Sequence, residues 1–340
     1  MISKENNFDF IRLFMSILVL YGHSYLLYYG PATQDRDFMY VISSGQIDAG
    51  TFAVPVFFIM SGYLITASWQ NTKNLRKFLE KRIFRIYPAV IVSILLTIYL
   101  IGFLVSSDYS NYLSNLEIYK VLKSIFIMYI GNSVMNVFSN LPYSSAVNGS
   151  LWTLMYEFFC YLMIAFLGYS KLLNKRNIIL IFIVFYLLSM MNKYTSFSNT
   201  LFFFKSLPDL ALYFFAGTLY FYRKEKVHSL EKVLLMLLLL ALFTYVGYLH
   251  LVLVFVLYEV LFYISYSKYI KLHNFAKRGD FSYGVYIYAF PIQQTLIFFW
   301  RDDFTYCLFL VTSTITSLFL AILSWKIVEK PSIDFARNMS

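Results

Sequence analysis

The first apolar segment of the chain, FDFIRLFMSILVLYGH (8–23), has the composition of a membrane-spanning helix but carries Asp9, Arg12 and His23, the last two 11 positions apart. In an α-helix this spacing returns to within roughly 20° of the same face and rises by roughly 16 Å. Ser16 shares that face. A guanidinium binds phosphate or carboxylate oxygens, and an imidazole moves a proton or attacks a carbonyl carbon. The spacing therefore predicts one polar helix face suited to anion binding and to proton or group transfer.

Simpler interpretations of Arg12 and His23 stay open. An ionisable group deep in a membrane costs about 2.5–3.5 kcal/mol on insertion scales and usually faces a bundle interior or an aqueous cavity. Arg12 can instead extend to the cytoplasmic headgroups, paired with Asp9 at i, i+3. His23 can be a structural hydrogen-bonding group between helices. The shared face favours a polar pocket, because neither alternative requires it.

Two more arginines, Arg82 and Arg85, are three positions apart in KNLRKFLEKRIFRIYPAV (73–90). Guanidinium groups on neighbouring turns offer forked donors that fit phosphate oxygens. A basic cytoplasmic loop is also expected from membrane topology alone. The pair is of interest because Arg12 is predicted at the same boundary, where all three arginines would converge on one polyanion.

Glu157 lies seven residues into the segment that begins SLWTLMYEFFCYL (150–162), and His23 lies seven residues before Gly30 at the outer end of the first helix. The two groups are therefore expected at similar depth and in possible contact. A carboxylate beside an imidazole fixes its tautomer and stabilises its protonated form, as general base catalysis requires. The alternative is a structural ion pair, or a protonated Glu157 bonded to a neighbour.

Ser61 and Gly62 lie in the middle of another apolar segment, VPVFFIMSGYLI (54–65). Close packing is the usual reason for small residues in membrane helices. A weaker hypothesis is that the Ser61 hydroxyl or a nearby backbone amide supports an oxyanion.

The composition places these residues in a membrane protein, since 59% of the 340 residues are hydrophobic and 14% are charged, with 36 Phe and 31 Tyr. A soluble globular protein is excluded. The net charge of +10 does not indicate nucleic-acid binding, because the basic residues lie between apolar segments. The sequence predicts an all-α polytopic helical bundle in one domain, residues 1–340, without a metal site. Ten spans are predicted, at about 8–29, 51–69, 86–105, 150–169, 177–192, 207–222, 231–249, 250–266, 282–300 and 304–326.

The charges between the spans set the topology. An eleventh apolar stretch, about 118–138, is predicted not to cross, because 22 of the 28 Lys and Arg then lie inside. These are Lys4, Arg12, six in 70–87, three in 168–177, four in 223–232, four in 267–281 and three at the C-terminal end. Both termini are predicted to be cytoplasmic.

Several stretches together resemble the acyltransferase-3 family of integral-membrane acyltransferases. They are Arg12 with His23, FFIMSGYLI (57–65), RIFRIYP (82–88), SLWTLMYEFF (150–159), FSYGVYIYAFPIQQ (281–294) and VEKP (328–331), in the order of the family, from Phe8 to Pro331. The resemblance implies about ten helices and transfer of an acyl group, usually acetyl from acetyl-CoA, to a surface carbohydrate. It also implies a bacterial inner-membrane location.

The resemblance assigns essential roles to Arg12 and His23, maps the cytoplasmic arginine pair to Arg82 and Arg85, and maps the Trp and Glu of an LW…E motif to Trp152 and Glu157. Two positions depart from the family. Phe158 stands where many relatives have a second acid, and the residues before Pro291 lack the histidine that many relatives carry there. No catalytic role is assigned to that late stretch.

The expected mechanism places the phosphates of acetyl-CoA on Arg82 and Arg85, with Arg12 at the mouth of a cavity. His23, oriented by Glu157, acts as general base or as nucleophile. Ser61 and Trp152 are weaker candidates for oxyanion or substrate contacts. Expected partners are acetyl-CoA, membrane lipid and a surface carbohydrate or lipid-linked oligosaccharide. The competing hypothesis is a transporter or flippase for a lipid-linked saccharide. The acceptor sugar and a longer acyl donor stay open.

Overall fold

The structure is a computed structural model that describes residues 6–31, 37–131, 137–194, 205–223, 229–267 and 269–339, apart from the side chains at positions 276 and 278. Its helices, in chain order, are α1 (Phe8–Tyr29), α2 (Phe38–Ile42), α3 (Ala49–Thr72), α4 (Leu75–Val105), α5 (Tyr109–Ser114), α6 (Ile118–Ile127), α7 (Gly149–Tyr169), α8 (Lys175–Tyr194), α9 (Leu207–Phe221), α10 (Leu230–Tyr245), α11 (Leu249–Ser265), α12 (Ser282–Trp300) and α13 (Tyr306–Met339). The fold is an all-α membrane bundle, as predicted.

Short irregular elements interrupt this pattern. A 3₁₀ turn, Gly149–Leu151, opens α7, and another covers Phe275–Arg278. π-helical turns occur at Leu96–Ile101 within α4 and at Trp325–Glu329 within α13. Strands β1 (Ile130–Gly131) and β2 (Ala146–Asn148) form an antiparallel pair just before α7.

Each of the ten predicted spans corresponds to a helix in the described chain. Among the described residues, six helices, α1, α3, α4, α7, α8 and α13, are long and apolar enough to cross a membrane. The 10-residue helix α6 covers part of the eleventh apolar stretch, about 118–138. It is about 15 Å long, half of a hydrocarbon core of about 30 Å, so it is too short to cross. The count of ten spans and the cytoplasmic termini stay predictions. Lys4 and residues 224–228, which contribute to the charge count, lie outside the described residues.

The chain divides into two compact units, each assembled from separate stretches. The first unit consists of Met1–Arg12, Met39–Leu79 and Tyr156–Lys277, and the second of Leu13–Phe38, Glu80–Met155 and Arg278–Ser340. The prediction of a single domain over 1–340 stays a prediction.

The first unit contains a close contact between α3 and α9. A Cβ on Gly62 would overlap the backbone carbonyl of Phe214, and a Cβ on Gly217 would overlap that of Ile59. The Thr66 hydroxyl adds a hydrogen bond of 3.2 Å to Thr218. Small residues let membrane helices approach until their backbones touch. Packing therefore explains Gly62, as its position beside Ser61 predicted.

A Gly62→Ala substitution is expected to destabilise the protein by about 1–3 kcal/mol, because the new Cβ would clash with the backbone carbonyl of Phe214, which cannot rotate away. The unfolding midpoint of the purified protein in detergent measures the effect. Gly50→Ala, on the same helix, is the matched control. The only heavy atom of the described residues found within 4 Å of a Cβ added to Gly50 is a carboxylate oxygen of Asp48, at 3.3 Å. Equal midpoints for the two variants would contradict the close contact.

In the second unit, α12 is buried along most of its length. An added Cβ on Gly284 would lie 2.6 Å from Cα of Ala321, so α12 and α13 pack closely. On α12, the Gln293 amide donates to the carbonyl of Leu20 on α1, at 3.0 Å. The Gln294 amide donates to the carbonyl of Ala146 on β2, at 3.1 Å. Buried amides thus tie α12 to the helix that carries His23 and to the strand that precedes α7.

Candidate active site

His23 lies on α1 between residues of α7 and α12, all within the second unit. The Oγ of Ser150 is 3.5 Å from the imidazole Nδ1, at the long end of hydrogen-bond distance. The Phe290 ring meets the imidazole edge-on, with ring centroids 5.1 Å apart. An added Cβ on Gly149 would lie 2.6 Å from the Phe290 ring, so the start of α7 packs closely against that ring. Three stretches that the sequence singles out therefore meet at this histidine.

Hydrogen bonds from side-chain amides to backbone carbonyls position these neighbours of His23. The side chain of Asn148, which is fully buried, donates to the carbonyl of Ile287 at 2.8 Å and joins β2 to α12. Together with the Gln293 and Gln294 bonds, it fixes the start of α7 and the His23 turn of α1 against one helix. The sequence patterns assign no role to Ser150, Phe290 or Asn148. For Asn148 the signal is a buried amide beside an apolar segment, because such a group must find a hydrogen-bond partner. Nothing in the sequence patterns signals Ser150 or Phe290.

This arrangement suits proton or group transfer by the imidazole. A hydroxyl near Nδ1 can orient the ring, and the Phe290 ring forms an apolar wall beside it. Phe290 directly precedes Pro291, the region where many relatives of the resembled family carry a second histidine. Beside His23 this chain therefore has the apolar ring of Phe290, and it has no histidine directly before Pro291.

Glu157 and Ser61 meet in the first unit. The Ser61 hydroxyl donates a hydrogen bond to Oε1 of Glu157. The Tyr161 hydroxyl, one turn further along α7, donates to the same oxygen at 2.6 Å. The two hydroxyls fix the orientation of the carboxyl group. Because the Ser61 hydroxyl is bonded to Glu157, an oxyanion role would require it to leave that partner.

The predicted contact between His23 and Glu157 stays a prediction, since the two residues belong to different units. Arg12, in the first unit, pairs with Asp9 at 3.3 Å, as the simpler interpretation of this residue proposed. Ser16 is buried and donates to the carbonyl of Leu13 at 2.8 Å. The hydroxyl on the predicted polar face is therefore bonded within its own helix.

Arg85, in the second unit, lies among acidic and aromatic side chains. One guanidinium nitrogen is 2.7 Å from a carboxylate oxygen of Asp280, and another is 3.6 Å from Glu329. The rings of Tyr283 and Trp325 have their centroids 5.6 and 5.8 Å from the guanidinium carbon. Carboxylates and aromatic faces both stabilise a guanidinium. We call these five residues the Arg85 cage.

Local backbone features shape the Arg85 cage. The π turn of α13 begins at Trp325 and ends at Glu329, whose carboxylate also accepts from Ser324 at 3.0 Å. Gly279 has a φ of +136°, and an added Cβ there would overlap the Trp325 ring. Glu329 is the acid of the VEKP stretch, whereas Asp280 stands outside every quoted stretch. A phosphate on Arg85 has to compete with both carboxylates, and the predicted phosphate contact stays a prediction.

Trp152 and Arg82, two further residues predicted for the site, both have solvent-accessible surface. Trp152 is exposed at the start of α7, with 39% of its surface accessible. Arg82 lies on α4 one turn before Arg85 and is partly exposed. Within the described ranges, no group of three or more His, Cys, Asp or Glu side chains is placed to hold a metal ion.

A family model described as an acyltransferase domain matches residues 5–326. The chain belongs to the acyltransferase-3 family. This acyltransferase is 33% identical over 341 residues to an "O-acetyl transferase" of Shigella phage Sf6, covering 96% of each chain. It is 29% identical over 168 residues to "Nodulation protein 10" of Rhizobium leguminosarum bv. viciae, covering 48% of this chain and 44% of the relative. No solved structure matches it.

The family match confirms the resemblance that the ordered stretches indicate. This acyltransferase is thus a multi-pass membrane enzyme that transfers an acyl group. The roles of its individual residues stay predictions.

Proposed function

We propose that this acyltransferase moves an acetyl group from cytosolic acetyl-CoA to a hydroxyl of a cell-surface polysaccharide or of its lipid-linked precursor, in the bacterial cytoplasmic membrane. The similarity to an O-acetyl transferase along 96% of both chains supports acetyl as the group and oxygen as the acceptor atom. The observation that carries the chemistry is His23, held between Ser150 and Phe290 inside an apolar bundle.

In the proposed reaction, Nδ1 of His23 faces Ser150, and Nε2 takes the proton from the acceptor hydroxyl. The hydroxyl oxygen attacks the thioester carbonyl carbon, the bond between carbon and sulfur breaks, and the CoA thiolate leaves with the proton that the imidazolium returns. In the second possible order, Nε2 first accepts the acetyl group and the hydroxyl then attacks acetyl-histidine. Both orders use the same residue and consume one acetyl-CoA per ester formed.

Glu157 is proposed as a second catalytic group that stabilises positive charge developing on the imidazole. Its hydrogen bonds from Ser61 and Tyr161 support this role, because they hold the carboxyl group in one orientation. Ser61 then acts as a positioning residue for Glu157, and its weaker oxyanion role is retained only for a state in which that bond is broken.

Donor binding is proposed to use the basic residues of the predicted cytoplasmic boundary. Arg82 and Arg12 supply positive charge for the phosphates of CoA, and Trp152 is retained as a weak substrate contact. Arg85 contributes only where a phosphate displaces or joins the carboxylates of Asp280 and Glu329. No separate observation favours transport of a saccharide without acyl transfer.

A deletion strain tests the proposed function. We expect the NMR spectrum of its surface polysaccharides to lose O-acetyl signals that the parent strain shows, and expression of the intact chain to restore them. A deletion strain whose glycans keep every O-acetyl group would contradict the proposal. Loss of a longer acyl group instead would correct the donor and leave O-acyl transfer in place.

A further inference from the structure

The first unit contains a basic pocket of about 360 Å³ at the C-terminal ends of α3 and α7. Trp69 and Gln70 of α3 line it, together with Lys73, the residue that follows α3. Tyr169, the last residue of α7, and Lys171, two positions later, line the other side. No Asp or Glu is among the lining residues in the part of the chain that the structure describes. Its volume lies within the range of about 300–1,000 Å³ that small-molecule sites occupy. Two lysines without a carboxylate favour an anionic ligand.

The pocket has a rigid floor and wall. Trp69 is buried, and an added Cβ on Gly168 would overlap its indole ring, so the two helices touch there. The amide of Gln70 donates to the Tyr222 hydroxyl at 3.1 Å, and that hydroxyl donates to the carbonyl of Leu173 at 2.9 Å. Both lysines are exposed and line the pocket beside this base.

The backbone at the two lysines gives an independent indication. Four non-glycine residues of the described chain have positive φ, and two of them are Lys73 at 47° and Lys171 at 59°. Lys73 is the left-handed C-cap of α3. Glycine or asparagine is the usual residue in this conformation, because a Cβ strains it. Lysine at both positions indicates that the side chains serve a purpose that outweighs the strain.

The simpler explanation is electrostatic, since a lysine near a helix C-terminus interacts favourably with the helix dipole. It accounts for positive charge at each helix end. It does not account for the strained cap position, because neighbouring residues of the last turn offer the same benefit without positive φ. It also does not account for two such lysines lining one pocket with a tryptophan and a tyrosine.

From this combination we propose that the pocket binds a phosphate group of a membrane-associated or soluble ligand, with Lys73 and Lys171 as its two cationic contacts. Both lysines fall in segments 70–87 and 168–177, which the charge pattern places in the cytoplasm. Lys73 follows Ser61 by 12 residues at the end of α3, and Tyr169 follows Glu157 by 12 residues along α7, a rise of roughly 18 Å in each case. The phosphate has two possible sources, an anionic lipid headgroup or a nucleotide such as CoA. Binding itself does not depend on acyl transfer.

The test uses the full-length protein with two probes. Free CoA is titrated into the protein in detergent, and retention of phosphatidylglycerol is measured by native mass spectrometry after release from nanodiscs of phosphatidylglycerol and phosphatidylcholine. The variants are K73Q/K171Q and a control, K175Q/K232Q, which removes two exposed lysines of the same unit that do not line the pocket. We expect K73Q/K171Q to weaken binding of one probe by about tenfold or more, since it removes two charge-assisted contacts.

A second variant, K73G/K171G, separates folding from binding. Glycine relieves the positive-φ strain, so this protein is expected to unfold at an equal or higher temperature and still to lose the ligand. Selective loss of CoA binding identifies a nucleotide, and selective loss of phosphatidylglycerol identifies a lipid. A wild-type protein that retains neither probe, or variants that retain both as well as the control does, would overturn the proposal. Acetyl transfer by the wild type is scored separately, so failure of the pocket and failure of the proposed function are distinguishable.

Discussion

A His23→Ala variant of this acyltransferase is expected to lose acetyl transfer by at least about 100-fold, because general base catalysis contributes roughly 10²–10⁴ in rate. The loss is expected in kcat, since the imidazole acts on the reacting atoms. The measurement is the initial rate of O-acetyl formation on the surface glycan in membranes that contain equal amounts of each variant.

His273→Ala is the matched control, because His273 lies in a loop that the charge pattern places in the cytoplasm, outside the α1 face. It is expected to keep nearly full activity. Ser150→Ala is expected to lose less than His23→Ala, since a contact of 3.5 Å orients the ring only weakly. Normal acetylation by a His23→Ala protein present at the wild-type level would reject the catalytic role.

Combining His23→Ala with Glu157→Gln asks whether the two side chains work in one step. If Glu157 acts through the imidazole, the double variant is expected to be about as slow as His23→Ala alone, because effects of residues that act as a unit are not additive. Fully multiplied losses would assign Glu157 an independent role.

An Arg85→Ala variant is expected to be destabilised by about 3 kcal/mol, because it leaves two carboxylates in the Arg85 cage without their cation. The side chain of Glu329 is fully buried and that of Asp280 is 13% exposed. The value is taken at the lower end of the range for buried pairs because 26% of the Arg85 side chain is itself accessible. The unfolding midpoint in detergent measures the change.

Arg337→Ala is the control for Arg85→Ala within the same unit. Arg337 pairs with Asp334 at 3.5 Å, but these side chains are 74% and 47% exposed. An exposed pair contributes about 0–1 kcal/mol, so little change is expected. Replacing Arg85 and Glu329 together with Met is expected to recover part of the lost stability, since no buried charge is then left alone at Glu329. If Arg85→Ala is as stable as Arg337→Ala and weakens only donor binding, Arg85 is a phosphate ligand instead of the centre of a structural cage.

The longest helices of this fold are readable from the sequence because a lipid-spanning helix needs about 20 apolar residues. The first helix is predicted at 8–29 and found at Phe8–Tyr29. Strands β1 and β2 have two and three residues. Segments this short carry no alternation that distinguishes them from loops.

Among the contacts of the candidate site, those within one helix are predictable from the sequence and those between helices are not. Spacing within one helix predicts neighbours such as Asp9 and Arg12, which pair at i, i+3. It says nothing of partners on other helices. Ser150 is 127 positions from His23, and Asp280 is 195 positions from Arg85. These pairs are fixed by helix packing, and an unaligned sequence signals them only through the rule that buried polar groups require partners.

We propose that this membrane bundle uses His23 to transfer acetyl from acetyl-CoA to a glycan hydroxyl. The most direct measurement supplies acetyl-labelled acetyl-CoA and the surface glycan to the purified protein in liposomes and follows alkali-labile label on the glycan. We expect labelled glycan and one free CoA per ester with the wild type, and neither with His23→Ala. Unlabelled glycan with the folded wild type, or equal labelling by both proteins, would contradict it.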